Sequence, residues 1–204
     1  VELDFRRDRR LIRLVQGEAL FKVAHDPRRP FDVIAGTTVV RAVGTRFNVD
    51  RRGERTTVTV LEGRVVVQQR APDSLRPPYQ KQAAPRIVAA DERVIVTASG
   101  MGAPERIENV APVTAWTQRR LIFDNRPIGE VAEEFNRYNR LQVVIGDPEL
   151  RRQEITGVFD ANDPESFLTF LSHIPGVRVD KSNAGSLVTV RAEDFRQEGV
   201  QTER

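Results

Sequence analysis

Leu121-Ile122-Phe123-Asp124-Asn125-Arg126-Pro127-Ile128, running on through Tyr138, is the stretch in which the hydrophobic period changes most legibly. Leu121 and Phe123 lie two apart, on one face of a short strand. Asp124-Asn125-Arg126 then predicts a turn, with Pro127 at a first helical position, where its missing N–H has no intrahelical partner to lose. From there Ile128, Val131, Ala132, Phe135 and Tyr138 recur at the 3.6-residue period of one helix face, while Glu130, Glu133, Glu134, Asn136 and Arg137 cover the other. Acids early and arginine late match the helix dipole.

The same order returns downstream. Leu141 to Ile145 reads as a strand broken by Gly146-Asp147-Pro148, and Ile155 to Phe159 as a second. Asn162 or Asp163 then caps a helix with Pro164 in its first turn and Phe167, Leu168, Leu171 and Ile174 on its apolar face, ended by Pro175-Gly176. Val177 and Val179 form a strand, Asn183-Ala184-Gly185 a turn, and Leu187, Val188 and Val190 the last strand. The expected order, β-α-β-β-α-β-β, fits one small α/β domain over residues 116–192, with a polar tail at 193–204.

The front of the chain has a different grammar. Val1, Leu3 and Phe5 alternate. Leu11 to Val15 and Ala19 to Val23 read as two strands around a Gln16-Gly17 turn. Further strands are expected near 31–34, 38–43, 46–50, 56–61 and 64–69, with Gly44, Gly53 and Gly63 between them, and 92–97 rejoins the sheet. Short, regularly spaced strands predict an all-β antiparallel, sandwich-like domain over residues 1–98. Within it, the proline-rich stretch 71–90 reads as a mobile loop. Gly100, Gly102, Pro104 and Pro112 place a linker at 99–115. The fold class expected is therefore β plus α/β in two domains.

Composition narrows the function. The chain has 204 residues, no cysteine and a formal net charge of +3, so disulfides, thiolate metal sites and a cysteine nucleophile are excluded. All but three of its 32 basic residues are arginine, interspersed with 29 acids, which reads as solvated surface rather than a nucleic-acid footprint. His25 and His173 fall in different domains without metal-ligand spacing. No serine sits in a nucleophile elbow, Gly100-Met101-Gly102 does not open a helix after a strand, and Glu133-Glu134 lies on an exposed helix face. A binding protein without catalytic activity or cofactor is expected. No apolar run reaches the ~20 residues that cross a bilayer. The first residue, Val1, reads as the start of an excised or processed fragment.

Leu121 to Ile128, the helix ending Asn136-Arg137-Tyr138, Ile155-Thr156-Gly157-Val158-Phe159 and Asp163-Pro164-Glu165 resemble the secretin and TonB short N-terminal (STN) domain, in the version found at the C-terminal end of FecR-type proteins. Gly17 to Val33, with His25, Asp26, Pro27, Pro30 and Phe31, then Gly44, Thr45, Phe47 and Val49, then Glu62 and Gly63, are similar to the FecR domain signature. In that family these residues are structural, and His25 or Asp26 is expected to bond the turn backbone. The resemblance implies the periplasmic part of an inner-membrane regulator of extracytoplasmic sigma factors. Its partners would be the periplasmic N-terminal signalling domain of a TonB-dependent receptor and, through a cytoplasmic segment beyond a transmembrane helix preceding Val1, a sigma factor. Iron or other nutrient uptake would be the process controlled.

Docking by strand addition would need an edge strand. Ile155 to Phe159 and Leu187 to Val190 are the expected edges, which makes Ile155, Gly157, Phe159, Leu187, Thr189 and Arg191 candidate partner-binding residues. Trp116 is expected at the domain junction, as a packing residue or a further anchor. A carbohydrate- or envelope-binding β-sandwich is the alternative, and a secretin-like ring-forming domain a third.

Overall fold

The structure, a computed structural model, describes residues 1–7, 9–70, 84–181 and 187–192. The chain forms two compact units, Val1–Thr114 and Ala115–Arg204. Most of the loop expected at 71–90, the turn at Asn183-Ala184-Gly185 and the tail at 193–204 lie outside the described residues.

The first unit contains two six-stranded sheets. One takes, in spatial order, β1 (Glu2–Phe5), β2 (Arg10–Arg13), β4 (Phe31–Ala35), β5 (Thr38–Ala42), β8 (Arg64–Gln69) and β9 (Arg86–Ala89). The other takes β11 (Gly100–Met101), β10 (Glu92–Thr97), β7 (Arg55–Glu62), β6 (Arg46–Arg52) and β3 (Gly17–Lys22), with β12 (Glu105–Arg106) also on β10. Alternation along the strands turns Val33, Val40, Val65 and Val67 of the first sheet and Phe47, Val49, Val58 and Val60 of the second into one buried cluster. Phe31 on β4 meets Phe21 on β3 at 5.6 Å, and Phe21 meets Phe47 on β6 at 5.2 Å, between ring centroids.

Four expectations are corrected here. Leu11–Val15 and Ala19–Val23 do not make a hairpin: β2 and β3 belong to different sheets, the chain crossing at Leu14 to Gln16, where Leu14 is buried and Gly17 has φ +91°. Because β3 is given to the other sheet, β4 returns beside β2 in the same direction, so the unit contains a parallel pair, Arg10↔Phe31 through Arg13↔Ile34, and is not wholly antiparallel. Residues 86–89 form β9 against β8 rather than loop. Residues 100–106 are not free linker, because β11 and β12 fold back on β10. A short helix α1 (Ala111–Ala115) and a 3-10 turn (Trp116–Gln118) follow.

The second unit runs β13 (Arg120–Pro127), α2 (Ile128–Tyr138), β14 (Gln142–Ile145), α3 (Pro148–Arg152), β15 (Glu154–Asp160), α4 (Pro164–Ser172), β16 (Val177–Lys181) and β17 (Leu187–Ala192). The expected order is present with one addition: Asp147 accepts from the N–H groups of Glu149 and Leu150 and starts the one-turn helix α3. Asp124-Asn125-Arg126 is no turn. It is a bulge inside β13, with Asn125 at φ +46°, after which Pro127 pairs with Glu154 and stands at the N-cap of α2 rather than in its first turn. The apolar face of α2 packs as expected, and Phe135 stacks on Phe167 of α4 at 4.5 Å with planes 6° apart. Asn136, expected on the solvent face, instead brackets β14: its Nδ2 donates to Val143 O at 2.9 Å and its Oδ1 accepts from Val143 N at 2.7 Å.

Phe47→Ala in the first unit and Phe135→Ala in the second each remove a fully buried ring, and each is expected to cost about 3–5 kcal/mol. Urea unfolding, followed for each variant, measures the loss.

Candidate docking surfaces

The signature residues, far apart in sequence, meet at one end of the first unit. Val23 N–H donates to Thr45 O at 2.8 Å, tying the end of β3 to the start of β6. His25 Nδ1 lies 3.2 Å from Val43 O. Gly44, at φ +79°, passes so close beneath that a Cβ there would sit 2.7 Å from the same Nδ1. A Cβ on Gly63, at φ +81°, would sit 3.0 Å from Thr45 Cγ2. Asp26 Oδ1 accepts from Arg28 N–H and Oδ2 from Arg29 Nε at 2.9 Å, closing the turn that contains Pro27. That Arg29 hydrogen bond, opposed by some desolvation, holds the Asp26 carboxyl below the usual carboxylate range. Pro30 O accepts from Arg10 N–H, and Arg10 Nε donates to Arg29 O. Phe31, Phe47 and Val49 are core. Glu62 is exposed and pairs with Arg46 at 3.4 Å. These residues build a loop end; they do not converge on a reaction centre.

The second unit presents a different surface. β13 and β15 form a two-stranded sheet of their own, so among the described residues each keeps one unpaired edge. Ala161 N–H donates to Arg119 O. Continuing that alternation, Phe159 and Gly157 bond to Leu121 and Phe123, and the N–H and C=O of Val158 turn outward to the free edge. Ile155 and Phe159 point inward: Ile155 is buried and Phe159 lies against Phe123, Phe135, Phe167 and Phe170. Gly157 makes room for that ring, since a Cβ would meet Phe159 Cε2 at 2.9 Å. What β15 offers outward is its backbone and Val158, half exposed and paired across the sheet with Ile122. Sequence alternation alone could have singled out Val158.

The other expected edge is overturned. β17 is the middle strand of a three-stranded sheet, parallel to β14 and antiparallel to β16, so Leu187, Thr189 and Arg191 have no open backbone beside them. A short, β-branched strand followed by a turn reads as an edge, but parallel pairing with β14 on one side and antiparallel pairing with β16 on the other place this one centrally. Trp116 sits half-buried in the 3-10 turn, with its indole N–H buried and unbonded among the described residues. His173 Nδ1 lies 2.6 Å from Thr169 O at the end of α4. Among the described residues no group of three His, Cys, Asp or Glu could hold a metal ion, and no helix is long and apolar enough to cross a membrane.

Gly44→Ala is expected to destabilise the first unit by about 2–4 kcal/mol, through left-handed backbone strain and the His25 clash. His25→Ala removes only the ring and leaves its Cβ and Cα 2.8 and 2.9 Å from the added methyl, so most of the Gly44→Ala loss should persist in the double variant in a double-mutant cycle of urea unfolding. The depressed Asp26 carboxyl contributes stability above the ordinary value of about 3.9 that is lost as pH falls through its folded value. Melting against pH should show a shallower acid decline for Asp26→Asn.

Comparison with known proteins fits this geometry. The family profile described as FecR protein matches residues 1–66, and the one described as FecR, C-terminal, matches residues 120–189. Two crystal structures of a candidate anti-sigma factor from Parabacteroides distasonis ATCC 8503 superpose with a TM-score of 0.70 each. They are 28% and 27% identical, over 92% and 93% of this chain and 82% and 83% of theirs. No curated protein matches. The two profiles and the structural match support a signalling regulator of the FecR type.

Proposed function

We propose that this chain is the periplasmic sensor portion of a transmembrane anti-sigma regulator of the FecR type. It would receive its signal from the N-terminal signalling domain of a TonB-dependent outer-membrane receptor in cell-surface signalling for iron or another nutrient. The observation that carries the reading is the presence, in order on one chain, of both FecR profiles. A structural neighbour described as an anti-sigma factor, matched across 92% of the chain, supports it. On this reading the chain acts by binding, and its regulated sigma factor is reached through a cytoplasmic segment beyond a membrane-spanning helix.

The second unit, read as STN-like, is the receptor-docking module, and the free edge of β15 is where the partner adds a strand. The backbone of Val158 supplies hydrogen bonds and the Ile122–Val158 pair supplies apolar contact. Since the contact must also release, its area should be standard size or smaller, at most about 1,600 Å².

Calorimetric titration of the chain with the signalling domain of a receptor encoded beside it tests the reading. Binding is expected, weakened about tenfold or more by Val158→Pro, which removes an outward N–H without touching the β13 ladder. Thr189→Asp on the inner strand β17 should leave affinity within about twofold if the melting temperature is kept. Absence of binding would sink the receptor reading; equal weakening by both variants would move the site off the β15 edge.

A further inference from the structure

The first unit has an unbalanced end. The β1–β2 turn, the 22–30 segment, the 43–46 bend and the β7–β8 turn all lie at the same end of the two sheets, as the pairings Phe5↔Arg10, Arg10↔Phe31, Phe31↔Ala42 and Lys22↔Arg46 require. Residues 4–10, 22–30, 43–46 and 62–64 together carry nine lysines and arginines against four acids, so this end is more positive than the whole chain at +3. Three of those acids are already engaged: Asp4 with Arg6 and Arg9, Asp26 with Arg29, and Glu62 with Arg46. Arg7 and Arg28 are exposed, and no side chain among the described residues pairs with theirs. What sequence order scatters, the fold collects.

Beside this end lies an apolar ledge. β3 is the last strand of its sheet and reaches Phe31 on β4 through Phe21. β1 stands two strands farther out on the facing sheet, and among the described residues nothing of the second sheet lies beyond β3 to cover it. Leu3 and Phe5, which turn toward the core side, therefore remain 66% and 59% exposed, with Phe5 touching only the rim of the aromatic cluster through Phe31 at 6.4 Å.

We propose that this arginine-rich end, with Leu3 and Phe5 on the overhanging edge strand, docks on an anionic lipid surface. Cationic side chains dispersed over several loops around a projecting phenylalanine and leucine suit an interface in which the charges meet headgroups and the apolar tips enter the acyl boundary. The concavity beside this end, lined by Arg9, Leu11, Pro30, Asp32 and Arg41, opens on the outer face of the first sheet, away from Leu3 and Phe5. The inference rests on the proposed reading only for the presence of a bilayer, since Val1 lies at the other end of the β1–β2 hairpin; the surface chemistry stands independently of the receptor.

Co-sedimentation of the full chain with phosphatidylcholine vesicles, with and without phosphatidylglycerol, tests it. The chain is expected to bind the anionic vesicles, to ignore the neutral ones and to detach as salt is raised. Arg7→Ser and Arg28→Ser should each weaken partitioning about fivefold with unchanged melting, because both side chains are exposed, and Phe5→Ser about tenfold with only a small loss of melting temperature from its edge contact with Phe31. No binding to the anionic vesicles, or equal binding to both kinds, overturns the proposal. So does soluble poly-glutamate binding as tightly as the vesicles without loss on Phe5→Ser, which would indicate an acidic protein partner. Receptor titration of the same variants stays separate: Arg7→Ser and Phe5→Ser that lose vesicles while keeping the receptor support the proposal, and a chain that binds vesicles but no receptor fails only the receptor reading.

Discussion

The packing of Phe31 against Phe21, and of Phe21 against Phe47, is the contact on which the first unit depends. Phe31 belongs to one sheet and the other two rings to its partner. With no cysteine anywhere, the sheets are held to each other by apolar burial rather than covalent bridges. Each ring contributes about 1.5–3 kcal/mol by leaving water, and each aromatic pair about 0.5–1.5 kcal/mol more. The family signature is, in this light, a packing and turn code. Phe31, Phe47 and Val49 fill the interior, while Gly44 and Gly63 let backbone pass where His25 and Thr45 leave no space for a side chain.

Much of the second unit was legible because its signals are local. Ile128, Val131, Ala132 and Phe135 announce their face by period alone, and all are buried. Asp163 accepts from Ser166 N–H as an N-cap, a bond fixed within one turn. What was missed depends on partners far along the chain. Asn136 has the look of a surface residue until β14 arrives to be bracketed by it, and Asn139 joins it by donating to Phe135 O and Ala161 O. Five-residue α3 is too short to show a period. Whether a strand is edge or centre is decided by pairing, so Leu187–Ala192 could not be placed from its own residues, whereas Val158 could be recognised as the outward member of an alternating strand.

Charge shows the same limit. Arginines and acids alternate so evenly along the chain that the sequence suggests a neutral, solvated surface. The turns at 6–9, 26–29 and 62–64 are nonetheless neighbours in space because strands of similar length return to the same end of two sheets. Electrostatic character at the level of a surface is thus a property of topology, and only a fold can reveal it.

The hairpin of β1 and β2 has its turn at residues 6–9 and its open end at Val1. A mechanical tension applied through Val1 would therefore load the backbone pairs from Glu2↔Arg13 to Phe5↔Arg10 one after another, as a zip, instead of shearing them together. The β13–β15 pair, whose register is interrupted at Asn125, lies in the other unit and carries none of those pairs. Peeling β1 would bare the edge of β2 while the buried rings of Phe21 and Phe47 stayed in place, giving the chain a strand that yields to force before its core does.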